Sequence, residues 1–173
     1  MSIQPRLTAI LALSRDGALG DTRAPSGLPW PRLGLDMRRF RRLTEGRVVL
    51  MGRRTYDTLP PRGLPGRRLA VLTRHLDAPA RVGAPCVWVR SVEDALAAYP
   101  GEEVVLLAGG AEVYRALLWR CSRIYLTTVE ADYPEADVRL DPGEVTWRRT
   151  CVHRERHPPE DGTPVAVTFS EWV

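Results

Sequence analysis

An aspartate among apolar neighbours is the first residue of this chain that invites a chemical reading. In LGLDMRRFRRL, Leu33 to Leu43, helical spacing puts Leu33, Met37 and Phe40 on one face, at i, i+4 and i+7. Arg38, Arg39, Arg41 and Arg42 are expected to point mostly outward. Asp36 falls with the apolar residues, three positions after Leu33 and four before Phe40. A carboxylate on a core-facing stripe is costly unless something pairs with it. Desolvation there raises its pKa, which suits a proton-handling or cation-binding role. A partner arginine, or the positive end of the helix, would account for the same placement without function.

Two glycine turns carry a different chemistry. VVLLA, Val104 to Ala108, runs into Gly109-Gly110 and then AEVYRALL; VVLM, Val48 to Met51, runs into Gly52, Arg53, Arg54 and Thr55. A glycine turn before a helix lets backbone amides approach a phosphate. Neither turn matches a GxGxxG or P-loop pattern, and either could be geometry alone. Together, with adjacent arginines, they favour a ligand bearing phosphates in a sheet crevice. Thr73-Arg74, at the end of another apolar run, could add a hydroxyl and a guanidinium.

These residues need elements to position them. Apolar runs at Leu7 to Leu13, Arg47 to Met51, Arg68 to Thr73, Cys86 to Val89, Val104 to Ala108 and Arg123 to Thr128 predict strands. Continuous runs of this kind are buried on both faces and imply a largely parallel sheet with helices on each side. Helices are predicted over Leu33 to Leu43, Thr55 to Leu59, from Ser91 onward and over Glu112 to Trp119. Ser91 is a cap, with Asp94 three positions on. Val145 to His153 and Val165 to Trp172 flank the turn-rich HPPEDGTP and read as an antiparallel hairpin. The expectation is one α/β domain over residues 1–173. It has a mostly parallel twisted sheet of about eight strands, an antiparallel C-terminal hairpin and about four flanking helices.

Composition narrows the function classes. The 173 residues are 44% hydrophobic and 27% charged, ordinary for a globular domain. The apolar runs are far short of the roughly 20 residues that a membrane span needs. MSIQPRLTAI lacks the basic start and long apolar stretch of a signal peptide. Cys86, Cys121 and Cys151 form no CxxC pair and are expected to be buried thiols in a reducing cytoplasm. His75, His153 and His157 are scattered, so no metal site is expected. All 25 basic side chains are arginine, and the net charge is +4. They are spread from Arg6 to Arg156 among acidic residues, with no groove-reading or stacking motif, which argues against nucleic acid.

LPW (28–30), the Asp36-x-x-x-Phe40 helix, VVLMGRRTYDTLP (48–60), LPGRR (64–68), VLTR (71–74) and LAGGAEVY (107–114) occur in that order. The ordered set, from the first strand to the C-terminal hairpin, resembles bacterial-type dihydrofolate reductase. The resemblance implies NADPH-dependent reduction of 7,8-dihydrofolate, with antifolates as further ligands, by a cytoplasmic monomer. It implies that Asp36 is the lone active-site acid, holding the pterin's 2-amino group and ring nitrogen. Trp30 would help hold a water near it, and Thr127 would link to it by a hydroxyl. Ile10, Ala12, Leu28, Met37, Phe40, Ala108 and Tyr114 match residues around the substrate, with Leu28 at a gating position. Arg67 matches the arginine that pairs with the glutamate tail. Arg53, Arg54, Thr55, Thr73, Arg74 and Arg90 match cofactor contacts, as do Ala12, Gly20, Ala111, Val113 and Tyr114. Arg53 and Arg74 would lie near the ribose phosphate. Gly109 and Gly110 match a pair joined by a cis peptide. Residues 16–29 correspond to a mobile loop that closes over the nicotinamide.

The chain departs from the pattern in four places. That loop is a few residues longer than in short bacterial members, and one extra residue separates Trp30 from Asp36. Glu112 stands where some members carry a basic residue, and Ala108 where a larger aliphatic is common. Pyrimidine reductases of riboflavin synthesis are similar and also use NADPH, but their substrate has no glutamate tail for Arg67 to pair with. An arginine-rich RNA-binding scaffold would leave Asp36, Arg67 and the glycine pair without a purpose.

Overall fold

The computed structural model describes residues 6–76, 86–102 and 104–173; residues 1–5 of the N-terminal stretch lie outside it. The strands are β1 (Arg6–Ser14), β2 (Ala18–Gly20), β3 (Val48–Gly52), β4 (Arg68–Leu72), β5 (Cys86–Val89), β6 (Val104–Leu107), β7 (Cys121–Val129), β8 (Val138–Arg139), β9 (Cys151–His157) and β10 (Val167–Trp172). The helices are α1 (Gly34–Thr44), α2 (Arg53–Asp57), α3 (Val92–Ala98), α4 (Ala111–Leu117) and α5 (Pro142–Val145). Eight strands form one sheet in the order β5-β4-β3-β6-β1-β7-β10-β9, and β2 pairs with β8 apart from it. The expected α/β class, with a mixed sheet of eight strands, is what forms. The chain divides into two compact units, Thr44–Cys121 with the chain up to Thr8, and Ala9–Leu43 with Ser122–Val173.

The first unit is parallel throughout its described pairs: β3 with β4, β3 with β6, and β4 with β5. Val48, Val49, Leu50 and Met51 are all buried, which is why that strand reads as an unbroken apolar run. Val49, Met51, Tyr56, Leu69 and Val71 form its core, and Tyr56 meets the Trp88 ring edge-on at 5.1 Å. Ser91 caps α3 as its sequence predicts, its Oγ accepting from Asp94 N at 3.0 Å. The short helix predicted over Thr55 to Leu59 begins at Arg53 instead, because Gly52 already serves as its N-cap. Of the three cysteines, all of them free thiols, Cys121 is buried; Cys86 and Cys151 are half-buried, a correction to the expectation of three core thiols. Burial nevertheless pushes the Cys86 thiol up to about 11.

The second unit is antiparallel where β7, β10 and β9 pair. Its core is Trp30, Leu33, Val129, Val167 and Phe169, with Ala12, Leu35 and Tyr133 packed against it. The C-terminal hairpin forms, but the strand predicted from Val145 begins only at Cys151. Residues 142–145 are instead helical: Asp141 accepts from Gly143 N at 2.7 Å and proline stands at the helix start. An aspartate cap followed by proline is a helix-opening signal that the apolar pattern obscured. The two strands missing from the sequence reading, β2 and β8, are three and two residues long, too short to show a period.

Candidate active site

Helix α1 begins where a distant loop holds it. Gly34 N donates to Gly162 O at 2.7 Å, and Leu35 N donates to Thr163 Oγ1 at 2.9 Å. The HPPEDGTP connection, predicted only as a turn, therefore supplies the cap that satisfies the first amides of α1. This anchoring fixes Asp36 in the helix's first turn.

Asp36 does not stand alone. Thr127, buried on β7, donates from Oγ1 to Asp36 Oδ1 at 2.7 Å. Burial raises the Asp36 pKa above its ordinary value; the Thr127 hydrogen bond and the charge of Arg39 pull it back down. A partner arginine for the acid thus exists, acting by its charge and, through hydrogen bonds, by way of Thr127. Arg39 Nη1 donates to Thr127 Oγ1 and to Leu126 O, both at 3.1 Å, and Nη2 donates to Ser170 O at 3.2 Å. At 8% exposure Arg39 is buried, which corrects its reading as an outward arginine. Met37 is corrected in the opposite sense, being 50% exposed. The inner face of α1 runs through Leu33, Asp36, Arg39 and Phe40, with Phe40 half-buried. A guanidinium can occupy such a face when its donors find acceptors and its flat surfaces find rings. The Arg39 guanidinium lies 4.5 Å from the Phe169 centroid and 5.7 Å from that of Tyr125.

The other residues expected around a substrate are distributed as follows. Trp30 is buried beside Leu33 and meets the Tyr133 ring edge-on at 5.9 Å. Ile10 is buried, Ala12 half-buried against the Trp30 cluster, and Leu28 exposed. Residues 17–23 of the expected mobile loop are tied down. Gly20 pairs with Val138, Leu140 N donates to Gly17 O, and Thr22 bonds Asp137 through its amide at 2.8 Å and through its hydroxyl. Gly17 must be glycine: its φ is +86° and a Cβ would sit 2.5 Å from Leu140 O. At the loop's start, burial pushes the Asp16 carboxyl upward. Hydrogen bonds from Ser14, Arg139 and the Tyr133 amide outweigh burial and hold it well below the usual carboxylate range.

The first unit holds most of the residues expected to touch a cofactor, while Ala12 and Gly20 belong to the second. The Gly109-Gly110 peptide is cis. Gly52 N donates to Gly109 O and Ala108 N to Leu50 O, both at 2.9 Å, joining the ends of β3 and β6. A Cβ on Gly109 would lie 3.0 Å from Thr55 Oγ1 and 3.1 Å from its Cγ2; one on Gly110 would lie 3.2 Å from the same hydroxyl. Thr55 therefore packs directly on the turn, with Gly109 buried and Gly110 half-buried, and neither position has room for a side chain. Ala111, Val113 and Tyr114 are buried along α4, and Glu112 is exposed. Arg54, Arg74 and Arg90 are exposed at the ends of β3, β4 and β5. Arg53 Nε donates to Asp57 at 3.0 Å and its guanidinium stacks 5.1 Å from the Trp88 centroid. Thr73 is half-buried and accepts from His75 N at 3.1 Å. A glycine turn with a hydroxyl against it and several cations at neighbouring strand ends suits an anionic dinucleotide such as NADPH. Arg67 is buried, with Nη1 donating to Pro65 O at 2.7 Å. Ala108 is half-buried against the Tyr56 cluster.

Comparison with known proteins adds the family. The dihydrofolate reductase family model matches residues 6–173. A dihydrofolate reductase type 8 of Escherichia coli is 40% identical over 144 residues, covering 80% of this chain and 82% of that protein. The dihydrofolate reductase of Neisseria gonorrhoeae is 32% identical over 168 residues, covering 97% and 98%. Among solved structures, dihydrofolate reductase from Enterococcus faecalis complexed with NADP(H) and RAB-propyl has a TM-score of 0.82. It is 27% identical, over 99% of this chain and 98% of that one.

Proposed function

We propose that, because this chain belongs to the dihydrofolate reductase family, Asp36 is the carboxylate that holds the pterin of its substrate. The reaction is the NADPH-dependent reduction of 7,8-dihydrofolate to 5,6,7,8-tetrahydrofolate, which feeds one-carbon metabolism. The observation that carries the role of Asp36 is its place in the first turn of α1, with its carboxylate accepting from Thr127 at 2.7 Å.

When bound, NADPH supplies a hydride to pterin C6, and a proton is added at N5. Asp36 accepts from the pterin's 2-amino group and ring nitrogen, which fixes the ring's orientation. Its negative charge, in a partly buried setting, makes N5 more basic. Asp36 faces the opposite edge of the ring, so the proton reaches N5 through water, with Trp30 helping to hold an ordered water near the acid. Thr127 keeps the carboxylate from rotating. Ile10, Ala12, Leu28, Met37, Phe40, Ala108 and Tyr114 line the pterin and benzoyl groups, and the exposure of Met37 suits a residue that waits for a ligand. Arg67 takes the glutamate tail. Gly109, Gly110, Thr55, Thr73, Arg53, Arg54, Arg74 and Arg90 hold the cofactor's phosphates and adenosine, and Ala12, Gly20, Ala111, Val113 and Tyr114 its nicotinamide half. Orienting two reactants in this way supplies several kcal/mol of the barrier reduction.

The chain takes small-molecule ligands: dihydrofolate as substrate, and antifolates that bind in its place. We read it as a monomeric single domain of the cytoplasm that does not engage nucleic acid or a membrane. No helix among the described residues is long and apolar enough to cross a membrane. The +4 charge attracts NADPH and folate, both anions. The deciding assay mixes protein, dihydrofolate and NADPH and follows absorbance at 340 nm. Loss of absorbance only when all three are present is expected; no loss above the protein-free control would refute the reading.

A further inference from the structure

Arg39 is a buried cation that no part of the reduction accounts for. Its fork is used on both sides: Nη1 on Leu126 O and Thr127 Oγ1, Nη2 on Ser170 O. Leu126 and Ser170 are register partners across β7 and β10, so one guanidinium spans both strands. Phe169 and Tyr125 lie against it. Such a clamp leaves the Arg39 side chain little freedom.

The polarity of the chain of bonds follows from donor chemistry. A guanidinium has five N–H donors and no acceptor, and it does not deprotonate in proteins. Thr127 Oγ1 must therefore accept from Arg39. A hydroxyl has a single proton, and with Arg39 on a lone pair that proton is directed to Asp36 Oδ1. Polarised by the cation, the hydroxyl becomes a stronger donor to the acid.

We propose that Arg39 is a positioning residue for the reductase: it fixes the Thr127 hydroxyl as a donor and thereby holds the Asp36 carboxylate ionised and in one orientation. This rests on the reading of Asp36 as the pterin-holding acid. The charged and titratable groups around the relay are few. From α1 they are Arg39 and Arg42, from β7 Tyr125, and from β9 Glu155 with His157, whose ring packs on Phe169 and whose Nε2 lies 3.5 Å from Glu155; β10 contributes Phe169 and Ser170, neither of which titrates. Burial lowers the pKa of Arg39 and the charge of Asp36 raises it, the reciprocal of the effect on the acid. Removing Arg39 removes an influence that lowers the Asp36 pKa, so the acid should hold its proton to higher pH.

The test uses the whole chain and two readouts. The first is the carboxyl ¹³C titration of Asp36 in the ligand-free protein, assigned by its disappearance in Asp36→Asn. The second is the pH dependence of the dihydrofolate KM. In Arg39→Met the Asp36 titration is expected to move up by about half a pH unit to one unit. The pH at which KM begins to rise on acidification should move with it, while kcat at high pH changes little. Arg39→Lys, which keeps the charge and loses the fork, should recover part of the shift. If Arg39→Met does not fold, Thr127→Val cuts the relay with Arg39 in place and should shift the titration upward. Adding Arg39→Lys to Thr127→Val should then shift it little further. Unmoved titrations in folded Arg39→Met, or full additivity of the Thr127→Val and Arg39→Lys shifts, would overturn the proposal. If Asp36→Asn itself reduces dihydrofolate at the normal rate, the reading of Asp36 fails instead, and the two failures are distinguishable.

Discussion

In the unit that contains β7, β9 and β10, the proposed site is built from side chains on regular elements: Asp36 and Arg39 on α1, Thr127 on β7. In the unit of parallel strands the proposed site is built at strand ends: Gly52 closing β3, Gly109-Gly110 after β6, and the Thr73 hydroxyl after β4. The contrast follows from topology. Parallel strands all end on the same edge, so their loops converge where exposed amides and small residues can meet an extended anion. In the antiparallel unit the polar groups lie instead along a helix and a strand and are satisfied internally. The carboxylate half therefore depends on a buried hydrogen-bonded relay, and the glycine half on the absence of side chains.

If these are two independent devices, each should break without the other. Asp36→Asn is expected to have the largest effect. Hydride transfer in single turnover at pH 7 should fall by about 10²–10³-fold, within the range for loss of a positioned acid–base group. Partial recovery is expected at low pH, where the substrate's N5 is protonated without help. NADPH affinity, followed by quenching of protein fluorescence, should stay within about twofold. An unchanged rate at pH 7 would remove Asp36 from the mechanism.

Gly109→Ala attacks the other device. Its φ of +121° is strained for any L side chain, and the added Cβ would press on Thr55 at 3.0 Å. A strain of this kind costs about 1–3 kcal/mol. We expect the NADPH Kd to rise by about 10–100-fold, with methotrexate binding to the cofactor-free protein unaltered. Equal loss of both ligands would mean that the halves are not separable.

The two halves also differ in how far they were legible in sequence. The glycine turns are local punctuation, and the strands before them are unbroken apolar runs, so their positions could be read within a residue or two. Asp36 was visible because a carboxylate on an apolar face is conspicuous. Arg39 was not, since periodicity assigns arginine outward and only tertiary structure supplies its three acceptors and two rings. Thr163 caps α1 from 128 positions away, a pairing that no local pattern contains. β2 and β8 exist only as partners of each other. Where a feature depends on neighbours in sequence it was readable; where it depends on neighbours in space it was not.

Arg67 tests the comparison from a different side, as a side-chain device within the parallel unit. If it takes the substrate's tail carboxylate, Arg67→Leu removes a charge-assisted interaction worth about 1.5–3 kcal/mol. The dihydrofolate KM should rise by about tenfold or more, with kcat and NADPH affinity little changed. Its burial adds a second consequence, because loss of the Pro65 contact also costs stability. Thermal denaturation of the same variant separates the two: a KM effect with an unchanged Tm belongs to the ligand, and an unchanged KM would take the tail from Arg67.

The smallest expected effect lies at Ala108, beside the glycine pair. The family resemblance implies that a larger aliphatic is common at this position, and here a methyl group stands half-buried against the cluster that contains Tyr56. Two opposing terms decide what Ala108→Ile does. Added methylene groups contribute about 0.8 kcal/mol each where a ligand covers them. Overpacking against the Tyr56 cluster costs about 1–3 kcal/mol where the site cannot relax. Because Ala108 is only partly buried, the added atoms have an open side, and the first term should win. A diaminopyrimidine antifolate is then expected to bind about 3–10-fold more tightly to Ala108→Ile. Inhibition constants for the two proteins provide the check. Equal values, or weaker inhibition of the variant with a lowered Tm, would show that packing in the parallel unit is already as tight as the family's larger residue would make it.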